Sequence, residues 1–354
     1  MIQGLVPEDI QRILLCQQRQ IGDVVLATPS IELVAKAFPW ATIDFFTEKK
    51  CVPILEHNPH INHIWAVDTK TYPTTFSMLK WYWEVAHSGY DMIIALQNLP
   101  RIHWVSLFSP AKYKLSNKPP WYSRIFFTQV IPMQGEYAGE HKASVLRLLD
   151  IEWNKTQPKI YLTEEEKDTA RELLYSLGVK KGTILFTIDI THRRATRKYP
   201  LEGYVQLIDA VCKRYPHVVF LPLYGPGEED EIFRLITKVR ERSSIVLPAT
   251  MLSLREMASV MYYATLHIGN CSAPRHIAVA VGTPTFTILG STDPSWTFPS
   301  SAHVYFSAQL PCQPCRQNVC PLEKDKNACL ESVPIAWVLE SLYNHIDTIL
   351  GVKK

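Results

Sequence analysis

What most constrains this chain is an alternation that runs almost end to end, short apolar runs separated by longer amphipathic stretches. Residues 10–17 and 41–47 are strand-like. Between them, 23–38 repeat apolar side chains every three or four residues, the period of a helix that buries one face. Residues 64–68 and 91–96 extend the strand series, with a short helix from Cys51 and a long one at 74–88. Strands that alternate with helices are joined by crossovers, which makes the sheet parallel and covers both its faces. Residues 97–140 are irregular and rich in proline and aromatics, and a helix follows at 140–150.

The rhythm stops at 151–159 (IEWNKTQPK), a polar stretch that reads as a linker, and then restarts. Thr163 and Glu166 form a capping-box pattern for a helix at 164–177, which Gly178 ends. Strands are expected at 183–188, 218–224, 244–248, 265–269 and 285–290, and helices near 201–214, 228–241, 253–263 and 274–281. The chain of 354 residues is long enough for two domains. They divide as 1–155 and 156–333, two successive doubly wound α/β units, with a last helical segment at 334–354.

With 47% hydrophobic and 20% charged residues, the composition excludes a disordered, collagenous or coiled-coil chain. A net charge of +3 is too mild for a nucleic-acid binder, but suits phosphorylated substrates or an anionic surface. No window reaches the roughly 18–20 uninterrupted apolar residues of a membrane span. The first residues include Glu8 and Asp9, unlike the basic start of a signal peptide. A cytoplasmic protein, at most peripheral to a membrane, is the expectation.

Open parallel sheets bind ligands beyond the carboxyl ends of their strands, so the loops there carry the candidates. After the first strand comes Arg19-Gln20-Ile21-Gly22-Asp23, where Gly22 permits a tight turn. Asp23 reads either as a helix cap or as a general base. In the second half, Arg193, Arg194, Arg197 and Lys198 put four cations into six residues, either a solvated loop or a phosphate site. Glu228, in Tyr224-Gly225-Pro226-Gly227-Glu228, either stabilises a helix start or takes ribose hydroxyls. Gly269-Asn270-Cys271-Ser272-Ala273-Pro274-Arg275-His276 opens a helix on small residues, with Ser272 as cap and free amides for an anion. Gly290-Ser291-Thr292-Asp293-Pro294 is a similar hydroxyl-rich turn.

Together these loops resemble glycosyltransferase family 9, the ADP-heptose:lipopolysaccharide heptosyltransferases, over roughly residues 10–340. The stretches that carry the resemblance are Ile21-Gly22-Asp23 with Pro29; Arg194-x-x-Arg197-x-Tyr199-Pro200; Gly269-Asn270-x-Ser272-x-Pro274-x-His276; and Gly290-Ser291-Thr292-Asp293-Pro294. The resemblance implies the α/β GT-B fold, two Rossmann-like domains facing a central cleft. An acceptor domain comes first, a nucleotide-sugar domain second, and a terminal helix crosses back to the first. It implies an inverting, metal-independent transfer of heptose, or a related sugar, from an ADP-sugar to a lipopolysaccharide core acceptor, at the cytoplasmic face of the inner membrane. No resident cofactor is implied, and no Asp-x-Asp pair stands where a metal-bound sugar diphosphate would need one. The partners implied are the nucleotide sugar and a lipid-linked saccharide, with no nucleic acid.

On this pattern Asp23 deprotonates the acceptor and Arg197 offsets the charge of the leaving diphosphate. Gly22, Arg194, Lys198, Glu228, Cys271, Ser272, Ala273, His276, Ser291 and Thr292 line the donor site. There are departures from the family pattern, and Arg197 itself replaces a lysine, keeping the charge but changing its shape. Cys271 replaces the family's aspartate and Ala273 its glycine, so a different nucleotide sugar, or a silent sugar-nucleotide-binding protein, are the alternatives. Cys312, Cys315, Cys320 and Cys329 form a cluster also common in the family, readable as structural zinc, disulfides or free thiols.

Overall fold

The computed structural model describes residues 2, 4–68, 71–72, 74–117, 119–322 and 327–352. The chain divides into two compact units, Met1–Tyr161 and Leu162–Lys354. In the first, strands β1 (Arg12–Cys16), β2 (Thr42–Glu48), β3 (His63–Val67), β4 (Met92–Ala95), β5 (Tyr113–Asn117) and β6 (Gln129–Ile131) lie parallel in the order β3-β2-β1-β4-β5-β6. The central strands are buried on both faces, which is why RILLC and MIIA carry continuous apolar runs with no alternation. Trp81, Tyr82, Val85 and Ala86 of the helix Thr75–Ala86 pack on one face, against Leu14, Phe46 and Ile93.

The second unit repeats the scheme with β7 (Ile184–Asp189), β8 (Val218–Leu223), β9 (Leu266–Gly269), β10 (Thr285–Leu289) and β11 (His303–Ser307), again all parallel, in the order β11-β10-β9-β7-β8. Its core joins Phe186, Phe220 and Phe286 to Tyr204, Leu207 and Val211 of the helix Leu201–Arg214. The terminal helix Ile335–Leu350 brings Val338, Leu342 and Ile346, one every turn, into this same core. Its Asp347 accepts from Arg214 at 2.8 Å and Tyr215 at 2.6 Å.

Several expectations are corrected. The helix at 23–38 is two, Ile21–Val25 and Thr28–Ala37, because Pro29 lacks the amide that would continue the first and instead opens the second. Residues 244–248 make no strand; Ile245 has one isolated bridge to Phe220. The irregular 97–140 holds the helix Pro100–Phe108 together with β5 and β6, and β11 is an edge strand too polar to stand out. The segment read as a linker is fastened to the first unit. The Lys159 amide donates to Thr28 Oγ1 at 2.9 Å, and Tyr161 Oη to Glu32 at 3.0 Å. Among the described residues no helix is long and apolar enough to cross a membrane.

Candidate active site

The strand order of the first unit is that of the doubly wound nucleotide-binding folds, whose crevice opens where the order reverses, between β1 and β4. Gln17 follows β1, and its Nε2 donates to Gln97, just beyond β4, at 2.8 Å. The chain then runs through Arg19 at φ 58° and Gln20 at φ 26° before entering the helix Ile21–Val25. Two consecutive non-glycine residues in the left-handed region are strained, and such strain gathers at functional loops. The tight turn expected at Gly22 therefore lies two residues earlier, and Gly22 is a buried helical residue.

Asp23 does not cap that helix; Gln20 holds the cap position and no side chain bonds there. Instead Asp23 Oδ1 pairs with Lys142 Nζ at 2.9 Å, and Lys142 also donates to Gln17 Oε1 at 3.2 Å. Oδ2 of Asp23 has no partner among the described residues. Lys142 comes from the helix Ala138–Ala143, and Asn117 at the end of β5 donates to the carbonyls of His141 and Lys142 at 3.1 and 3.3 Å. A carboxylate is thus fixed by one oxygen at the switch point and open at the other, the geometry of a general base.

In the second unit the order reverses between β7 and β9. Gly269 ends β9 where a Cβ would stand 2.8 Å from the carbonyl oxygen of Asp189, so only glycine lets the two strand ends close up. Asn270 stitches the basic loop across that seam. Its Oδ1 accepts from the Tyr199 amide at 2.9 Å, and its Nδ2 donates to the Thr191 carbonyl at 3.2 Å. At Gly290 a Cβ would lie 2.2 Å from the Thr196 carbonyl, and the Ser291 amide donates to that carbonyl at 2.9 Å. Ser291 Oγ also donates to Thr196 Oγ1 at 3.1 Å, while the buried Thr292 Oγ1 has no partner. Three of the loops seen in the sequence are therefore one bonded assembly.

Within it the cations separate. Lys198 is engaged by Glu231 at 2.6 Å, and Arg194 is exposed. Arg197 is half-buried with its Nε unpartnered, and burial, opposed by the nearby Cys271, holds its guanidinium below its usual range. Burial, reinforced by Arg197, lowers His192 to about 4, so its neutral Nδ1 accepts the Arg194 amide at 2.9 Å. Glu228 does not cap the helix Glu229–Lys238. Its Oε2 turns back to accept from the Gly225 amide at 2.8 Å and from Thr191 Oγ1 at 2.6 Å.

Ser272 occupies the cap position of the helix Ala273–Ala280, but makes no side-chain cap bond; its hydroxyl donates to Asp189 Oδ2. The serine hydroxyl therefore leaves the Ala273 and Arg275 amides without a side-chain cap, at a helix N-terminus, the kind of end that attracts an anion. Ala273 opens that helix, and buried Cys271 precedes it. His276 packs its ring near Trp296, centroids 5.9 Å apart. Asp189, buried beneath Ser272, is pushed up to about 7 by that burial despite its hydrogen bonds. No disulfide joins Cys312, Cys315, Cys320 and Cys329 among the described residues; burial, and then the potential of the other three, raise Cys329 to about 11. Among the described residues no three His, Cys, Asp or Glu side chains form a metal-holding group.

Lys142 and Asp189 bond to the candidate loops, and sequence reasoning missed both. No motif marks Lys142, which is distant in sequence from the loop it serves. Asp189, ending an apolar strand at a sheet's carboxyl edge, was the one visible signal.

The sequence profile of glycosyltransferase family 9 (heptosyltransferase) matches residues 78–326, well over half of the chain. Lipopolysaccharide heptosyltransferase 3 of Escherichia coli (strain K12) is 29% identical over 283 residues, covering 78% of this chain and 81% of that protein. Among solved structures, the glycosyl transferase family 9 protein of Veillonella parvula DSM 2008 superposes with a TM-score of 0.83 at 19% identity, covering 99% of this chain and all of that one. The E. coli heptosyltransferase WaaC with ADP-2-deoxy-2-fluoro heptose gives 0.71 at 16% identity, covering 94% and 99%. With a profile that spans more than half of its two Rossmann-like units, the chain belongs to glycosyltransferase family 9, the heptosyltransferases.

Proposed function

We propose that this protein transfers a heptose from an ADP-sugar to a lipopolysaccharide core acceptor, with inversion and without an essential metal ion. The observation that carries the reading is the donor assembly of the second unit. There a half-buried Arg197, its Nε without a partner among the described residues, lies in the same bonded loop system as a helix N-terminus that Ser272 does not cap with its side chain, and Glu228 stands at the neighbouring strand end. Relatives named as lipopolysaccharide heptosyltransferases, and a structural neighbour holding an ADP-heptose analogue, support the donor and acceptor classes.

In the first unit, Oδ2 of Asp23 takes the proton of the acceptor hydroxyl. The acceptor's oxygen then forms a bond to the anomeric carbon from the face opposite the diphosphate, and the breaking carbon–oxygen pair leaves with the diphosphate. Inversion follows from one such displacement. Arg197 and the amides before Ala273–Ala280 meet negative charge that grows as the bond breaks, and so favour the transition state over the ground state. In this reading Glu228 accepts from the ribose hydroxyls, and Cys271, Ser291 and Thr292 border the sugar and diphosphate.

Exposed Trp121, Tyr122 and Ile125, on the 3-10 turn Trp121–Phe126 beside Arg124, offer an aromatic and basic contact for the membrane that carries a lipid-linked acceptor. The deciding experiment is a transfer assay with ADP-, UDP- and GDP-sugars in the presence of a chelator, with the anomeric configuration of the product read by NMR. Turnover of ADP-heptose with inversion is expected. Retention, dependence on added metal, or preference for another nucleotide would each replace that part of the reading.

A further inference from the structure

Arg275 heads the largest side chains that the fold buries completely, at 1% exposure. Buried arginines are ordinarily paired with a carboxylate, because removing an unpaired charge from water costs several kcal/mol. Among the described residues this one is not paired. Its Nη2 donates to the carbonyl of Trp296 at 2.5 Å, and its Nη1 is buried with no partner. Among the described residues no acid lies within ion-pair distance of it.

The charged groups around it make matters worse for the free protein. Arg275 repels the charge of Arg197 in the basic loop, and it adds to burial in keeping His267 and His303, at the starts of β9 and β11, neutral. Arg194 adds to the same field at Arg197. Position 271, where the family pattern carries an aspartate, is a thiol here. Arg275 sits in the first turn of Ala273–Ala280, whose amide end already bears partial positive charge. An unpaired guanidinium buried in that turn destabilises the fold until a negative charge arrives.

We propose that Arg275 is an electrostatic positioning residue of the donor site, its charge balanced by the diphosphate of the bound nucleotide sugar. It need not touch the ligand. A fixed cation in a poorly screened interior raises the potential at the helix N-terminus, where the diphosphate is read above to bind. The assignment rests on that reading of the donor site, and adds a residue the family pattern does not supply.

The test compares wild type with Arg275→Met and Arg275→Lys, using calorimetry with ADP, AMP and adenosine and thermal melts without ligand. Arg275→Met removes the charge and keeps an apolar stem. Its affinity should fall about tenfold for ADP, less for AMP and not at all for adenosine, and its ligand-free Tm should hold or rise. Arg275→Lys keeps the charge and should stay within about threefold of wild type for ADP. If the Met variant binds all three ligands as wild type does, or loses affinity for all three equally, Arg275 merely holds the Trp296 turn and the proposal is overturned. Should the Met variant fail to fold, the Lys variant decides: ADP affinity retained supports the charge role, and affinity lost alongside adenosine affinity overturns it. Wild type that binds UDP or GDP in place of ADP corrects the nucleobase alone. The same charge-graded loss for that nucleotide would then support Arg275, and an equal loss across its charge states would overturn it. Wild type that binds no nucleoside diphosphate overturns both this assignment and the donor reading.

Discussion

The hydroxyl of Ser272 donates to Oδ2 of Asp189, joining the ends of β9 and β7 across the point where the second sheet reverses its order. The partner carboxyl is buried, and burial raises it from 3.8 to about 7. The folded chain therefore holds a proton that the unfolded chain has lost between those values. Stability from this group is present at acid pH and declines as pH rises through the window. Asp189→Asn should flatten that decline, so wild type loses more Tm than the variant between pH 5 and 7.5. Each kcal/mol is worth about 2–4 °C in a unit of this size. Parallel Tm curves for the two proteins would show that the carboxyl is ionised throughout.

Asp23→Asn is expected to lower turnover by about 10²-fold or more while ADP affinity stays the same, the scale of a lost general base. Single-turnover transfer and ADP calorimetry on the same preparation check it. Wild-type turnover would leave Asp23 as no more than the ion-pair partner of Lys142.

Lys142→Met removes the cation that fixes Oδ1, so the carboxylate becomes free to turn away from the acceptor. Turnover should fall about tenfold with ADP affinity unchanged, and the Tm should drop because a poorly exposed Asp23 loses its ion pair with Lys142. Kinetics and melts on the variant read the two effects separately; a Tm drop with unchanged turnover would confine Lys142 to stability.

Arg197→Ala and Lys198→Ala should differ sharply despite their adjacency. Arg197 has an unpartnered Nε, whereas Lys198 is engaged by Glu231 at 2.6 Å. Losing Arg197 should weaken ADP binding and slow transfer. Losing Lys198 should cost a partly exposed ion pair, about 0–1 kcal/mol of stability, with little change in either. ADP titrations of both variants give the order directly, and a reversed order would move the phosphate contact to Lys198.

Cys271→Asp would place a carboxylate beside Arg197. ADP affinity should fall several-fold, since the new charge competes with the diphosphate. Preference for ADP-heptose over ADP should rise, because a carboxylate accepts hydrogen bonds from sugar hydroxyls far better than a thiol does. Competition binding of the two ligands measures it; identical preferences would mean that position 271 does not face the sugar.

Much of the scaffold was readable because its causes are local. Buried parallel strands are continuous apolar runs, and the Thr163–Glu166 box announces its helix, with both of its reciprocal bonds in place. Strands β6 and β11 escaped notice because edge positions tolerate polar residues, and β5 because its polar Ser116 and Asn117 are satisfied by hydrogen bonds inside the fold; 244–248 misled because an apolar run needs a partner strand along its whole length to pair. The site loops were legible as places, not as bonds. Spacing could put Asp23 and Ser272 at strand ends, but a capping role is only a local default, and each side chain instead reaches a residue far along the chain. Lys142 and the unpaired state of Arg275 are products of tertiary packing, which no pattern of periodicity encodes.

The bonds that fasten Lys159 and Tyr161 to the helix Thr28–Ala37 bear on how the molecule can be dissected. A first half cut at residue 155, where the composition changes, would leave Thr28 and Glu32 without these partners and remove Ile160, which is 5% exposed. Cut after Tyr161, it would keep its own seal. The shorter fragment should be the more readily proteolysed and the more prone to aggregate, and the six residues between the two cuts belong to the fold of the first half.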